Sequence, residues 1–477
     1  MNAEARQKRR MKVSHKSLTS AVVVVLVFAA TVLINLIAAR IPLKLDLTRF
    51  GLYSLSDQST SIIESLATDV IIYACYLEGE APSEIEETLQ RYGEASPLIK
   101  VRHIELERDP GFASRYSDAN GDATPGSLVV AGERVNRFRI IRPSELYEIG
   151  VDQSSGKQTI QGVQVERQVS GALSYVASGK VYRLYETSGH GEYSLEYLDL
   201  SGELARQSNE VSSLDILAAK TIPSEADLVI IASPEMDLLE SEAEALRKYL
   251  ERGGRLAVFI RPGLQLPRLA AVLSVYGVRW EQGIVMEGDE AHRIAGNPFF
   301  LVPETTSHEI GAPLQKARLG ITFPAAAALV ETELKRRDAV VTAVLRTSTK
   351  SWLRRNMDDA GTSKQADETM GPFTVACAIE VSPSGGKKSR LVISGSSFFI
   401  DPQNPSVAAG NRDLFLNMVS WALDRAEGTG IAPKYFLSLP MDTNGATALI
   451  LMAIFMVVIP GGILIIGFVV WLRRRNL

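Results

Sequence analysis

Two long apolar runs, one near each end, constrain this chain more than anything between them. Residues 21–39 read AVVVVLVFAATVLINLIAA, with only Thr31 and Asn35 as polar interruptions. A helix of about 20 residues spans the hydrocarbon of a bilayer, so the stretch has the length and composition of a membrane span. The segment IAAR that closes it loosely matches a small-residue cleavage site. A signal-peptide core is usually only about 7–15 residues long, however. This run is longer and continues into an amphipathic segment, which favours an uncleaved anchor. The second run, 446–472, reads ATALILMAIFMVVIPGGILIIGFVVWL and carries no charge. Its Pro460-Gly461-Gly462 is tolerable in a membrane helix, as a kink. The sequence therefore predicts transmembrane helices over 18–40 and 446–472.

The flanks orient them. Arg6, Lys8, Arg9, Arg10, Lys12 and Lys16 precede the first span, and Arg473, Arg474 and Arg475 follow the second. Basic flanks stay cytoplasmic. The tails 1–17 and 473–477 are thus expected inside, with the bulk of the chain outside the cytoplasmic (inner) membrane, in the periplasm or beyond. Those flanks hold nine of the 51 basic residues and one of the 55 acidic ones. The remainder is 42 basic against 54 acidic, a net charge of −12. A nucleic-acid surface needs clustered positive charge, so nucleic acid is excluded as a partner.

The only cysteines, Cys75 and Cys377, lie in separate apolar strand-like runs. An oxidising compartment would permit a disulfide, but two buried small hydrophobes are the favoured reading. No cysteine–histidine spacing predicts zinc.

Residues 45–178 read as a first α/β domain. Ser56 and Asp57 can cap a helix over STSIIESL. There follow a strand (DVIIYACYL), a helix capped by Ser83 (SEIEETLQRYGEAS), a strand (LIKVRHIEL) and a short helix (DPGFASRYSD). A hairpin of GSLVVAG and NRFRIIR turns at Gly132-Glu133-Arg134, and VERQVSGALSYVAS is a helix. The order β-α-β-α-β-β-α is that of a thioredoxin-like domain, and Pro125 stands where that fold keeps a cis proline. The redox activity is not expected. It needs two thiols at C-x-x-C, and this segment has Cys75 alone.

Residues 179–430 read as a second α/β domain, followed by a linker, 431–445. KVYRLYE, EADLVIIASP and RLAVFIRP are strands, alternating with helices over 196–208 (EYLDLSGELARQS), ESEAEALRKYLERGG and LPRLAAVLSVYG. Near-continuous apolar strands between helices predict a parallel sheet covered on both faces. After a less regular stretch, TVACAIEVS and SRLVISGSSFF resume the strands, and NRDLFLNMVSWALDRAEG is a helix. Residues 354–371 are polar and aperiodic, and read as a mobile loop.

In an open α/β sheet, ligands sit beyond the carboxyl ends of the strands. SGHGEY, ASPEMD, RPGLQ and SGSSFF each follow a strand and should share that rim. The candidate binding loop residues are Gly189, His190, Gly191, Glu192, Ser233 and Ser396. The two glycines permit positive φ and close backbone approach, aiming His190 and Glu192 at a partner or small ligand.

Catalysis is not expected there. A hydrolase or glutaminase places Ser or Cys on a sharp strand-to-helix elbow. Here Ser233-Pro234 stands in that place, and Ser396 and Ser397 lack a second glycine at the required spacing. No metal is expected either: His190 and Glu192 have no second pair, and His308-Glu309 begins H-E-x-x-H without its last histidine. SGGKKS, 384–389, has Val381 in place of the first P-loop glycine and Lys388 in place of the hydroxyl. It reads as a solvated hairpin turn.

Taken together, the chain resembles the GldG-type family, auxiliary subunits of ABC transport systems first associated with gliding motility. The resemblance rests on DLTRFGLYSLSDQS after the first span, GHGE at Gly189-His190-Gly191-Glu192, ADLVIIASP, SGSSFF followed by NRDLFLNMVSWAL, and the closing span. It implies an amidotransferase-like, doubly wound α/β domain without a catalytic triad. It also implies a separate ABC ATPase and a multi-span permease as partners, with no cofactor. The expected function is that of a non-catalytic, bilayer-anchored auxiliary component with an extracytoplasmic ligand-binding or assembly module. The alternatives are a membrane-tethered hydrolase or amidase, and a purely structural scaffold.

Overall fold

The computed structural model describes residues 54–118, 121–132, 134–151, 158–207, 209–294, 296–317, 319–356, 361–383, 386–404, 409–425, 434–435 and 459–475, with residues 26, 28–30, 32–33, 452 and 456. Leu52–Leu477 forms one compact unit and Met1–Gly51 another. The basic tail 1–17 and most of the expected span 18–40 lie outside the described residues; positions 26, 28–30 and 32–33 are helical. The expected span 446–472 is described continuously only from Ile459, as the 17-residue helix Ile459–Arg475. Among the described residues no helix is long and apolar enough to cross a membrane. The architecture is mixed α/β with several sheets.

The first half begins with α1 (Asp57–Glu64), whose N-cap Ser56 accepts from the Ser59 amide. It continues through β1 (Val70–Ala74), α2 (Ser83–Ala95), β2 (Ile99–His103) and α3 (Pro110–Arg115). Then come β3 (Leu128–Gly132), β4 (Arg137–Ile141), a hairpin of β5 (Tyr147–Val151) and β6 (Gln158–Val163), and α4 (Val165–Ser178). The sheet order is β2-β1-β3-β4, with β1 and β2 parallel and β3 and β4 antiparallel.

Alternation along β1 builds two cores. Val70, Ile72 and Ala74 pack with α1, α2 and α4, while Ile71, Tyr73 and Cys75 face Phe112 and Tyr116. Successive strand side chains point to opposite faces, so one five-residue apolar strand serves both layers. Ser83 is not the cap of α2: Pro82 holds that position and Ser83 starts the helix. Pro125 does not follow a cis bond; among the described residues Gly371–Pro372 is cis. Cys75 and Cys377 are both buried and free.

The second half comprises β7 (Tyr182–Thr187), α5 (Ser201–Arg206), β8 (Asn209–Leu214), β9 (Leu228–Ala232), α6 (Glu240–Glu251), β10 (Leu256–Phe259) and α7 (Pro267–Val275). It continues with β11 (Val278–Trp280), β12 (Leu329–Glu331), β13 (Ala339–Arg346), β14 (Thr374–Val381), β15 (Ser389–Ser394) and α8 (Ala409–Ala422). Ten strands form its large sheet, along the path β8-β7-β9-β10-β15-β14-β12-β11. Leu228 and Ile230 of β9 face the core closed by α8, while Val229 and Ile231 face the core closed by α6 and α7. Burial on both faces is why these strands are continuously apolar.

The sheet departs from the parallel expectation beyond β15. From β8 to β15 neighbours run parallel, but β14 is antiparallel to β15, and β12, β13 and β11 follow in antiparallel pairings. The short link from Val381 to Ser389 can close a hairpin but is too short for a crossover. The helix expected over 196–208 is shortened to Ser201–Arg206, because Asp199 adopts φ +54 and breaks the helical path.

Residues 354–371 also differ from the mobile loop expected. Outside 357–360, which are not among the described residues, this stretch is organised around fully buried Arg354. Its guanidinium pairs with Glu368 and donates to the carbonyls of Gly361 (2.6 Å) and Ser363 (2.7 Å), while Trp352–Arg354 pairs with Thr369–Met370.

The linker assigned to 431–445 is described only at β16 (Lys434–Tyr435), which pairs with β6. Buried Lys434 extends its Nζ to Glu166 Oε2 (2.7 Å) and the Ser54 carbonyl (2.5 Å). Glu166 Oε1 accepts from the Ser56 amide (2.7 Å) and Ser59 Oγ (2.5 Å). The next residue along α4, Arg167, pairs with buried Asp413 of α8.

Candidate functional site

Because β7, β9, β10 and β15 are neighbours running the same way, Thr187, Ala232, Phe259 and Ser394 end on one edge. The loops after them meet there. The Ser233 amide donates to the Phe259 carbonyl (2.8 Å), Ile260 to that of Ser394 (2.9 Å), and Tyr193 to that of Ala232 (2.8 Å). The six candidate residues therefore lie along one rim.

Gly189 and Gly191 take φ +117 and +77, as the tight turn requires. A Cβ on Gly191 would stand 3.1 Å from Glu235 Cβ and Cγ. This close approach lets the Glu235 and Met236 amides both donate to the His190 carbonyl, at 2.8 and 3.1 Å.

The imidazole is turned inward. His190 is buried, with Nε2 3.0 Å from Glu242 Oε2 and Nδ1 3.5 Å from Glu192 Oε1. Glu242 also accepts from the Leu239 amide (2.7 Å), in the first turn of α6. Glu192 accepts from the His190 amide (2.7 Å). The histidine thus ties the loop to the start of a helix 52 residues later. Among the described residues no set of three His, Cys, Asp or Glu side chains is arranged to hold a metal.

Ser233 follows β9 at φ +57, unusual for a residue with a side chain, and is fully buried. Its Oγ accepts from Ser397 Oγ at 3.0 Å. Ser396 Oγ donates to the Pro324 carbonyl (2.6 Å), and Ser394 Oγ donates to the Ser396 carbonyl (2.6 Å). These hydroxyls are committed to closing the rim, and the described partner of Ser233 Oγ is a serine rather than a base.

The outward surface is made by residues that local pattern did not single out. Glu235 pairs with Arg261, whose guanidinium lies 5.7 Å from the Phe398 ring, and Met236 and Leu239 are exposed. Glu242 carried a local signal, an acid in the first turn of a helix, but nothing nearby pointed to His190.

The rim and its sheet define an α/β module whose strand-end serines are internally bonded. Residues 183–418, from within β7 to within α8, match the model of the family ABC_transp_aux, described as an ABC-type uncharacterized transport system. The match, over slightly under half of the chain, supports an auxiliary component of an ABC-type transport system. No curated protein matches the chain. Among solved structures, the mmIFT52 N-terminal domain is similar at 17% identity, covering 51% of this chain and 98% of its own, with a TM-score of 0.39. A putative ThuA-like protein from Parabacteroides merdae is similar at 10% identity, covering 54% and 98%, with a TM-score of 0.32. At these scores neither bears on function.

Proposed function

We propose that this chain is a GldG-type auxiliary subunit of an ABC transport complex, anchored by two spans with both termini cytoplasmic. Residues 54–435 then form an extracytoplasmic module: a thioredoxin-like half without redox function and an amidotransferase-like half without a nucleophile. The family match over 183–418 carries the reading. The uncharged apolar runs and their basic flanks support the anchoring and its orientation.

The strand-end rim is the surface proposed to recognise a ligand or a partner subunit. With His190 facing Glu242, recognition falls to the outer side of the Gly189–Gly191 turn and to Glu235, Met236 and Arg261.

Purification of the tagged chain from detergent-solubilised membranes tests the main reading. An ATPase with nucleotide-binding motifs and a multi-span permease should copurify. Recovery of the chain alone, under conditions that keep other ABC complexes intact, would overturn it. For the rim, Met236→Asp with Glu235→Arg should abolish copurification or transport; wild-type behaviour in both would remove the rim from the proposal.

A further inference from the structure

The two ends of the extracytoplasmic module meet at one place. Ser54 opens the continuously described chain, and Lys434–Tyr435 are the last described residues before the apolar run at 446–472. They are joined directly, since Lys434 Nζ bonds both the Ser54 carbonyl and Glu166. Lys434 and Tyr435 are also strand-paired with Val163 and Gly162 of β6. Only residues 436–445 separate this point from the apolar run. At about 3.3–3.6 Å per residue, ten residues reach no further than roughly 35 Å.

The hairpin at this junction carries an unusual surface. Ile149 and Ile160 are directly opposed across β5 and β6, so their side chains share one face. They are 54% and 53% exposed. Of the described hairpin residues, Tyr147–Val151 and Gln158–Val163, only Glu148 is charged, and Gln164 is hydrogen-bonded to it. Ile149 also borders a polar cleft of about 310 Å³ lined by Glu145, Glu148, Asp199, Glu203, Arg206 and Arg412; Ile160 does not, so it is the position on this face set away from those charges. A nearly charge-free strand pair with opposed isoleucines suits the boundary between headgroups and acyl chains. A short tether to a membrane span would keep it at high local concentration there.

Resting on the membrane-anchored reading above, we propose that the β5–β6 hairpin is a lipid-contacting element. Its Ile149–Ile160 face lies in the bilayer interface, and the Lys434–Glu166 pair holds the chain ends on that side of the module. The occupant is lipid rather than a protein subunit, so contact needs no transport partner.

The test uses the full chain carrying Ile160→Cys, reconstituted without partners in nanodiscs and labelled with an environment-sensitive fluorophore. Native Cys75 and Cys377 are buried and should stay unlabelled. Leu217→Cys, equally exposed in the second half, is the comparator. At position 160 a nitroxide on the lipid should remove most of the emission while aqueous iodide removes little; position 217 should show the reverse. Iodide quenching at 160 without lipid quenching overturns the proposal, as does protection that arises only when permease and ATPase are added. Lys434→Met should lose part of the lipid quenching at 160, and the charge-free pair Glu166→Gln/Lys434→Met should recover most of it. Unchanged quenching in Lys434→Met, with the fold intact by circular dichroism, removes the latch from the proposal. A chain that never enters nanodiscs and is extracted from membranes by alkaline carbonate refutes the anchored reading itself, and this proposal with it.

Discussion

Lys434→Met perturbs the joint between the ends of the module with little change in volume. Glu166 would keep its bonds from Ser56 and Ser59 but lose its only described cation. Removing one member of a buried ion pair costs about 3–5 kcal/mol. The two retained hydrogen bonds place this case near the lower figure, about 3 kcal/mol. At 1.4 kcal/mol per tenfold, local opening should become on the order of a hundredfold more frequent. Hydrogen exchange of the Ser56 and Ser59 amides, in the full chain in detergent at neutral pH, reads this directly. Glu166→Gln/Lys434→Met should recover most of the protection, because replacing both charges leaves no buried ion alone.

Acid gives a second handle on the same pair. Burial pushes the Glu166 carboxyl up, but Lys434 and the bonds from Ser59 and Ser56 outweigh it, leaving it below the usual range. A depressed folded value contributes stability that is complete above the unfolded pKa, about 4.3, and is lost as pH falls through the folded value. The contribution from Glu166 should therefore hold at neutral pH, begin to fall near pH 4, and be gone only once the pH has passed below the depressed folded value. If Lys434→Met leaves both amides within about twofold of the parent, the pair contributes nothing measurable and the reasoning fails.

Four further outcomes are expected. Gly191→Ala should destabilise the protein by about 1–3 kcal/mol through positive-φ strain and crowding of Glu235, seen as a lowered melting temperature. His190→Ala should cost about 1–3 kcal/mol by leaving buried Glu242 short of a donor; an unchanged melt would show that the pair is idle. A fluorophosphonate probe should leave Ser233 unmodified in the native chain, and a stoichiometric adduct would restore the hydrolase reading. Burial raises the Cys75 thiol and pushes that of Cys377 up to about 12, so neither should react with a disulfide reagent at pH 8 until the chain is denatured, when both should.

What could be read from the chain in advance follows how local each determinant is. LVIIA at 228–232 declares a doubly covered strand because every residue is apolar, and VIIYA does the same in the first half. α4 was legible to the residue, with Gly179 at φ +63 ending it. The β5–β6 hairpin was not, since YEIGV and QTIQGV mix polar residues, glycines and isolated apolar side chains without a clean alternation. The antiparallel half of the sheet was hidden because apolar runs do not record direction. Arg354 looked like part of a polar loop, and only its carbonyl and carboxylate partners 7 to 14 residues away make it a core residue. At the rim, the glycines marked the turn, but the inward swing of His190 depends on Glu242, 52 residues on.

The position of β15 has a consequence for how the protein is made. This strand fills the place beside β10, yet about 130 residues separate Phe259 from Ser389. At roughly 5–20 residues per second, synthesis of that interval takes on the order of ten seconds. Through all of it the edge of β10, with Leu256, Ala257, Val258 and Phe259 destined for burial, has no partner strand. The nascent chain must cross a window in which this apolar sheet edge is open to wrong pairing. Slower translation, or a holding chaperone withdrawn during this interval, should therefore lower the yield of folded protein more than the same treatment applied after residue 394.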